Sequence, residues 1–469
     1  MGHEAAQALA PHPDVVGDDI TRVEVASGDR PEHAQAYAPA DWASLSRARR
    51  ERGPWLVRFR VGDHEAVELP VCSGRGRVWV DGREMPAPAG PVVLSLDPGP
   101  HELVMAVVVG DYEHRIACGG APRAGNRRMT PEGLGLLELP TRHAAEGGGR
   151  AVVFVPPHHD LGNPGALLVG THPWNGGIWT YAAYAELLHE AAAKDVVLLM
   201  PSGLGNSLYT AAAEEEVLDA IAALEQKVAI DPRRVSIWGA SMGGAGATTI
   251  GFHHPDAFAT VTSFFGDSKY DLASYVRSIL HDESGAHLVN ALDVIDNARH
   301  LPVWLVHGEE DKVSSIAQSE MLASALRDRG FGVRFDRVPH AGHEGAVVAR
   351  FASALVDLAS TARAPDAVPR VTYRGVRPGD TSAYGVRWSR AARRGDAFLD
   401  LERAPDGIHV HRADGVTRVW LARGAFGVAP ADAPAILRDA GVTAEVGWDP
   451  LPLPAPPAPS QLPRDGAVL

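Results

Sequence analysis

The stretch Ile230-Asp-Pro-Arg-Arg-Val-Ser-Ile-Trp-Gly-Ala-Ser-Met-Gly-Gly244 runs from a short β-favouring segment into a serine flanked by glycines. Residues 235–238 suit a strand. The small residues from Gly244 to Ala247 then open a helix-compatible run to about residue 254. The pattern is strand, sharp turn, helix, with Ser241 at the apex. Such a turn lifts a hydroxyl clear of a sheet, and side chains in place of the flanking glycines would collide. Gly-x-Ser-x-Gly alone decides little, because 49 of the 469 residues are glycine and chance matches are common. The later part of the chain decides more.

Two partners for Ser241 appear downstream, in the order acid then histidine. Leu301-Pro-Val-Trp-Leu-Val-His-Gly308 reads as a buried strand, and Asp311 lies on the loop after it. Loops at the C-terminal ends of parallel strands are where open α/β sheets place their ligands. A carboxylate there can hold an imidazole in one tautomer and stabilise its cation. Glu309 and Glu310 compete but read as solvated. The base candidate is His343, in Val338-Pro-His-Ala-Gly-His343, on the loop after the last strand; His340 is the rival. Imidazoles suit general acid–base work because they gain and lose a proton near neutral pH.

A tetrahedral oxyanion needs preorganised N–H donors. One is expected from Met242, at the start of the helix after the serine. The second is expected from the loop Thr171-His-Pro-Trp-Asn-Gly-Gly177, with Trp174 as the donor, since Pro173 has no N–H. His172 reads as structural. Trp179, Tyr181 and Tyr209 are candidates for the wall of an acyl or aromatic pocket.

Around this stretch, residues 148–362 alternate apolar runs with helical segments, which predicts a doubly wound, mostly parallel α/β sheet. Strands are expected near 151–155, 166–169, 196–200, 235–238, 259–264, 303–306 and 333–338. Helices are clearest at 211–226, 315–329 and 344–358. Residues 268–298 read as a helical insertion, in a position that often forms a cap. Residues 41–145 carry five or six short period-two strands with turn signals, Asp81-Gly82 among them, and predict a β-sandwich. An irregular lead-in (1–40) with one early strand precedes it, and a Gly-rich linker at 144–150 comes after it. A small β domain (366–447) and a Pro-rich tail (448–469) end the chain.

Bulk composition excludes some partners. A net charge of −14 argues against nucleic acid and anionic membranes, and no apolar run is long enough to span a bilayer. Met1-Gly-His-Glu-Ala5 lacks a basic start and an apolar core, so no signal peptide is expected in the sequence as given. Localisation stays open, including export of a trimmed chain. Cys72 and Cys118 read either as reduced thiols or as one disulfide. Neither sits at metal-ligand spacing, so no metal and no cofactor are expected.

Residues of about 150–360 resemble α/β-hydrolases of the esterase and prolyl-oligopeptidase type. The resemblance lies in the 230–244 stretch, in His253-His-Pro-Asp-Ala-Phe258, in His307-Gly-Glu-Glu-Asp311 and in Ala341-Gly-His343. It implies Ser241, Asp311 and His343 as nucleophile, acid and base. The family's His-Gly after the third strand is His172-Pro173 here, which loosens the oxyanion assignment. The C-terminal β domain is similar to one trailing bacterial esterases related to polyhydroxybutyrate depolymerases and acetyl xylan esterases. The 41–145 region resembles galactose-binding-like jelly rolls, which implies carbohydrate contact. The expected activity is cleavage of small-molecule or polymeric carboxylic esters through an acyl-enzyme. Two alternatives remain: a prolyl-oligopeptidase-type serine peptidase, and a non-catalytic binding protein on the same fold.

Overall fold

The computed structural model describes residues 149–449, apart from 161, 179, 183, 273–282 and 393–394, and before them strand segments between Val23 and Glu138. Eight strands form the central sheet: β1 (Leu134–Glu138), β2 (Arg150–Phe154), β3 (Gly165–Thr171), β4 (Val196–Pro201), β5 (Ile230–Ala240), β6 (Thr260–Phe264), β7 (Val303–Gly308) and β8 (Val333–Val338). Their order is β1-β2-β4-β3-β5-β6-β7-β8. β2 runs antiparallel to β1 and β4, while β4-β3-β5-β6-β7-β8 are mutually parallel. β3, β4, β6 and β7 are buried along their whole length, as apolar runs covered on both faces should be.

Alternation along each strand separates two cores. Leu167 and Val169 of β3 face one side; Ala166 and Leu168 face the other. Five helices cover these faces: α1 (Ala185–Lys194), α2 (Ala212–Glu225), α3 (Met242–His253), α4 (Ala317–Asp328) and α5 (Gly345–Thr361). α1 and α5 pack with Trp238, Phe264 and Trp304 on one side; α2, α3 and α4 pack with Ile237, Val261 and Leu305 on the other. Every residue of α3 is buried, which explains its small residues: it is the central helix, pressed between sheet and neighbours.

Between β6 and β7 the described part of the expected helical insertion is helical, in 3₁₀ rather than α form. Its segments are Tyr270–Leu272, Glu283–Leu288 and Ala291–His300. Side chains satisfy the backbone donors ahead of the first turn, which no helix bond could use: Gln318 Oε1 accepts from Ser268 N and Lys269 N, and Asn290 Oδ1 accepts from Tyr270 N.

Before β1, a six-stranded antiparallel sheet runs in the order Gln35–Tyr37, Val23–Ser27, Trp55–Val61, His101–Val108, Arg75–Val80, Arg83–Met85. It reaches back into the stretch read as an irregular lead-in. A three-stranded sheet (Arg123–Gly125, Ala66–Leu69, Val92–Ser95) and a two-stranded one accompany it, and the latter sets Cys118 opposite Cys72. The expected linker lies outside the described residues up to residue 148, as does the expected tail from 450.

After α5 come β9 (Arg370–Gly375), β10 (Ser382–Ala383), β11 (Val386–Arg390), β12 (Ala397–Ala404), β13 (Gly407–Asp414), β14 (Val416–Leu421), β15 (Ile436–Arg438) and β16 (Glu445–Trp448). They form two four-stranded sheets, β9-β12-β13-β15 and β10-β11-β14-β16, around a core of their own. This β unit is bonded to the C-terminal end of α3. The Tyr373 hydroxyl donates to His253 O at 2.7 Å, and His253 Nδ1 donates to Asp380 Oδ1 at 3.0 Å. Asp380 Oδ2 also accepts from the N–H groups of Val376 and Arg377. Burial opposes ionisation of Asp380, but these donors outweigh it and hold its carboxyl below the ordinary range.

A depressed folded pKa stabilises the fold above the unfolded value of about 3.9, and that contribution is lost as pH falls through the folded pKa. Asp380→Ala is therefore expected to lose on the order of 3 kcal/mol at neutral pH, for three stranded donors. Urea unfolding should show the gap to wild type narrowing only below about pH 4.

Candidate active site

The site is assembled from the exits of β3, β5, β7 and β8. At the end of β5 the chain enters Ser241 with φ 57° and ψ −121°, a conformation L-residues rarely hold. It is sustained by packing. A Cβ on Gly243 would lie 1.8 Å from Thr171 O, so the first turn of α3 rests directly on the backbone at the end of β3. The Thr171 hydroxyl lies 2.7 Å from Gly243 O and 2.8 Å from Trp238 O, and ties the same elements together.

Ser241 Oγ lies 2.8 Å from His343 Nε2, and His343 Nδ1 lies 2.7 Å from Asp311 Oδ2. An ionised carboxylate only accepts, so Nδ1 carries the proton and Nε2 presents its lone pair to the serine hydroxyl. The three side chains thus form one directed line of hydrogen bonds. His340, the rival histidine, has a side chain 91% exposed that bonds Glu310. Residues 341 and 342 make the difference: Gly308 leaves room for their carbonyls, a Cβ there meeting Ala341 O at 2.3 Å and Gly342 O at 2.6 Å.

The Asp311 side chain is shielded from solvent, and its two oxygens have separate tasks. Oδ1 accepts from the N–H groups of Val313 and Ser314 and shapes the loop. Oδ2 faces His343 and, at 3.3 Å, His307 Nε2. The second Nε2 contact of His307 is the carbonyl of Ser314, so this nitrogen is the donor, while Nδ1 accepts from the Ser319 hydroxyl. Burial pushes the Asp311 carboxyl up, yet the bonds from His307 and His343 prevail and hold it well below the usual carboxylate range. His307 was visible in sequence only as the head of His307-Gly-Glu-Glu-Asp311. Nothing marked Phe265, whose ring centroid lies 4.5 Å from that of His343.

The loop after β3 begins against the first turn of α3, where a Cβ on Gly243 would lie 2.8 Å from His172 O. Gly176 N donates to Pro173 O, and Asn175 and Asn206 exchange two bonds across to the loop after β4. His172 is buried, with Nε2 2.7 Å from Ser202 O and Nδ1 2.9 Å from Pro173 O; burial lowers its pKa. It braces the loop. The Trp174 N–H has no acceptor among the described residues. The Met242 N–H opens α3, where helix geometry leaves it without an intrahelical acceptor.

The expected pocket wall needs correction. Tyr181 is 1% exposed and Tyr209 0%, so neither presents a surface to a ligand. Their hydroxyls donate to backbone carbonyls, of Thr171 and His172 respectively, which makes them props of the β3 loop. Trp179 lies outside the described residues.

The prolyl oligopeptidase family matches residues 205–357, which span Ser241, Asp311 and His343. The chain is similar to an S-formylglutathione hydrolase from Agrobacterium tumefaciens, at 16% identity and a TM-score of 0.41, over 46% of this chain and 90% of that one. It is also similar to a thermostable esterase, at 14% identity and a TM-score of 0.40, over 65% and 95% of the two chains. Dipeptidyl peptidase 4 of Porphyromonas gingivalis is 16% identical with a TM-score of 0.38, over 48% of this chain and 35% of its own. No curated protein matches the chain. The sheet order and the family match over residues 205–357 give the central unit the α/β-hydrolase fold, with Ser241, His343 and Asp311 in the arrangement of a serine hydrolase.

Fluorophosphonate labelling is expected at Ser241 alone. Peptide mapping should show the label lost in Ser241→Ala and kept in His340→Ala.

Proposed function

We propose that the chain hydrolyses carboxylic esters through an acyl-enzyme. The observation that carries this reading is the hydrogen-bonded line from Ser241 through His343 to Asp311. His343 Nε2 takes the hydroxyl proton as Oγ attacks the ester carbonyl. The Met242 and Trp174 N–H groups receive the oxyanion. Collapse breaks the bond to the alcohol oxygen, which leaves with the proton from Nε2. Water then repeats the sequence on the acyl-enzyme, giving the acid and returning the proton to Oγ. Asp311 keeps the Nδ1 proton in place and offsets the charge on the imidazolium between the two transfers.

The match to the prolyl oligopeptidase family favours a second reading, a serine peptidase with the same three residues. Against it, the strands described before β1 form sheets of six, three and two strands, not repeated four-stranded blades.

Turnover of p-nitrophenyl acetate and butyrate is expected to exceed that of prolyl and aminoacyl p-nitroanilides; the reverse order would favour the peptidase. Asp311→Asn should lower kcat for the ester by roughly 10⁴-fold, because an amide stabilises the wrong tautomer. Ester turnover unchanged in Ser241→Ala would point to a binding protein instead.

A further inference from the structure

Tyr181 stands outside the line of three side chains, yet its hydroxyl holds a singular position. It donates to Thr171 O at 2.8 Å and accepts from Ala240 N at 3.0 Å. Thr171 ends β3, three residues before Trp174; Ala240 ends β5, two residues before Met242. The two strands are ladder partners whose last pair is Thr171 with Gly239. At that last rung the phenol oxygen bonds both the N–H of one exit and the carbonyl of the other. A single atom thus joins the two segments that carry the proposed oxyanion donors. The ring has little freedom to move: its centroid lies 4.2 Å from that of Trp238, and a Cβ on Gly170 would meet it at 2.9 Å.

We propose that Tyr181 is a positioning residue for oxyanion binding, its hydroxyl fixing the separation of the Met242 and Trp174 N–H groups. The proposal rests on the ester-hydrolase reading of Ser241. Oxyanion donors act through preorganisation, and each must lie within about 2.7–3.1 Å of the oxygen as charge develops. The Thr171–Gly239 register sets the Ala240 N–H against the Thr171 carbonyl at the end of the ladder, and without the phenol that last rung loses its brace and the two exits their fixed spacing. Ground-state binding depends little on that spacing, whereas the transition state depends on it strongly.

Steady-state kinetics of Tyr181→Phe test this, with Tyr184→Phe as the control that removes the hydroxyl of a neighbouring tyrosine in the same core. Tyr181→Phe is expected to lower kcat for p-nitrophenyl acetate by about 10–100-fold. KM should stay within about twofold. Affinity for a trifluoromethyl ketone, which binds serine hydrolases as a hemiketal oxyanion, should fall in parallel with kcat. Tyr184→Phe should keep wild-type kcat. Gly170→Ala, which displaces the ring, is the second variant and should reproduce the kcat loss if Tyr181→Phe does not fold. A folded Tyr181→Phe or Gly170→Ala protein with wild-type kcat would overturn the proposal, as would a kcat loss with undiminished ketone affinity. Wild-type protein without Ser241-dependent ester turnover would instead sink the ester-hydrolase reading, and this proposal with it.

Discussion

The contact on which the site depends is backbone against backbone: the first turn of α3 rests on the end of β3 with no side chain between them. A single methyl at Gly243 would overlap Thr171 O. That closeness allows Ser241 to remain at positive φ, a state that costs about 1–3 kcal/mol and persists only when its surroundings over-determine it. Several bonds do so here. Ser241 N donates to Phe264 O, the Thr171 hydroxyl lies against two carbonyls on the β5–α3 side, and the Tyr181 hydroxyl joins β3 to β5. The elbow is a junction of three strands, and its strain is distributed over all of them.

Electrostatics obey the same economy of parts. A buried carboxylate is costly unless its oxygens are hydrogen-bonded. Asp311 meets that condition with two backbone donors on one oxygen and two imidazoles on the other. The bonds that make the charge tolerable also aim it at His343. His307 and Ser314 therefore belong to the site as supports of the acid loop, and the hydrogen bond from the Ser314 hydroxyl to Asp267 ties that loop to the segment after β6.

Much of this was legible in the chain. Continuous apolar runs placed the parallel strands because a strand covered on both faces has no polar side to show. β8 differs, its Arg334 and Asp336 alternating with Val333 and Phe335, because it is an edge strand. The glycines around Ser241 marked a close approach that only glycine permits. The fates of Tyr181 and Tyr209 were hidden. An aromatic near a strand end has the same sequence signature whether it lines a cavity or props a loop, and the distinction lies in which backbone groups its hydroxyl meets. The described part of the segment from 268 to 298 is helical, as its composition suggested, but nothing in it hinted that Gln318, fifty residues away, would take the donors of Ser268 and Lys269.

The central claim is that Ser241 receives the acyl group. Rapid acid quench of the protein mixed with p-nitrophenyl acetate, then mass spectrometry of its peptides, tests this most directly. The account predicts one acetyl group on the peptide containing Ser241, formed together with a burst of one equivalent of p-nitrophenolate. Steady p-nitrophenolate release from a protein that turns over the ester with no burst and no acetylated Ser241, or with the acetyl group on another residue, would contradict it.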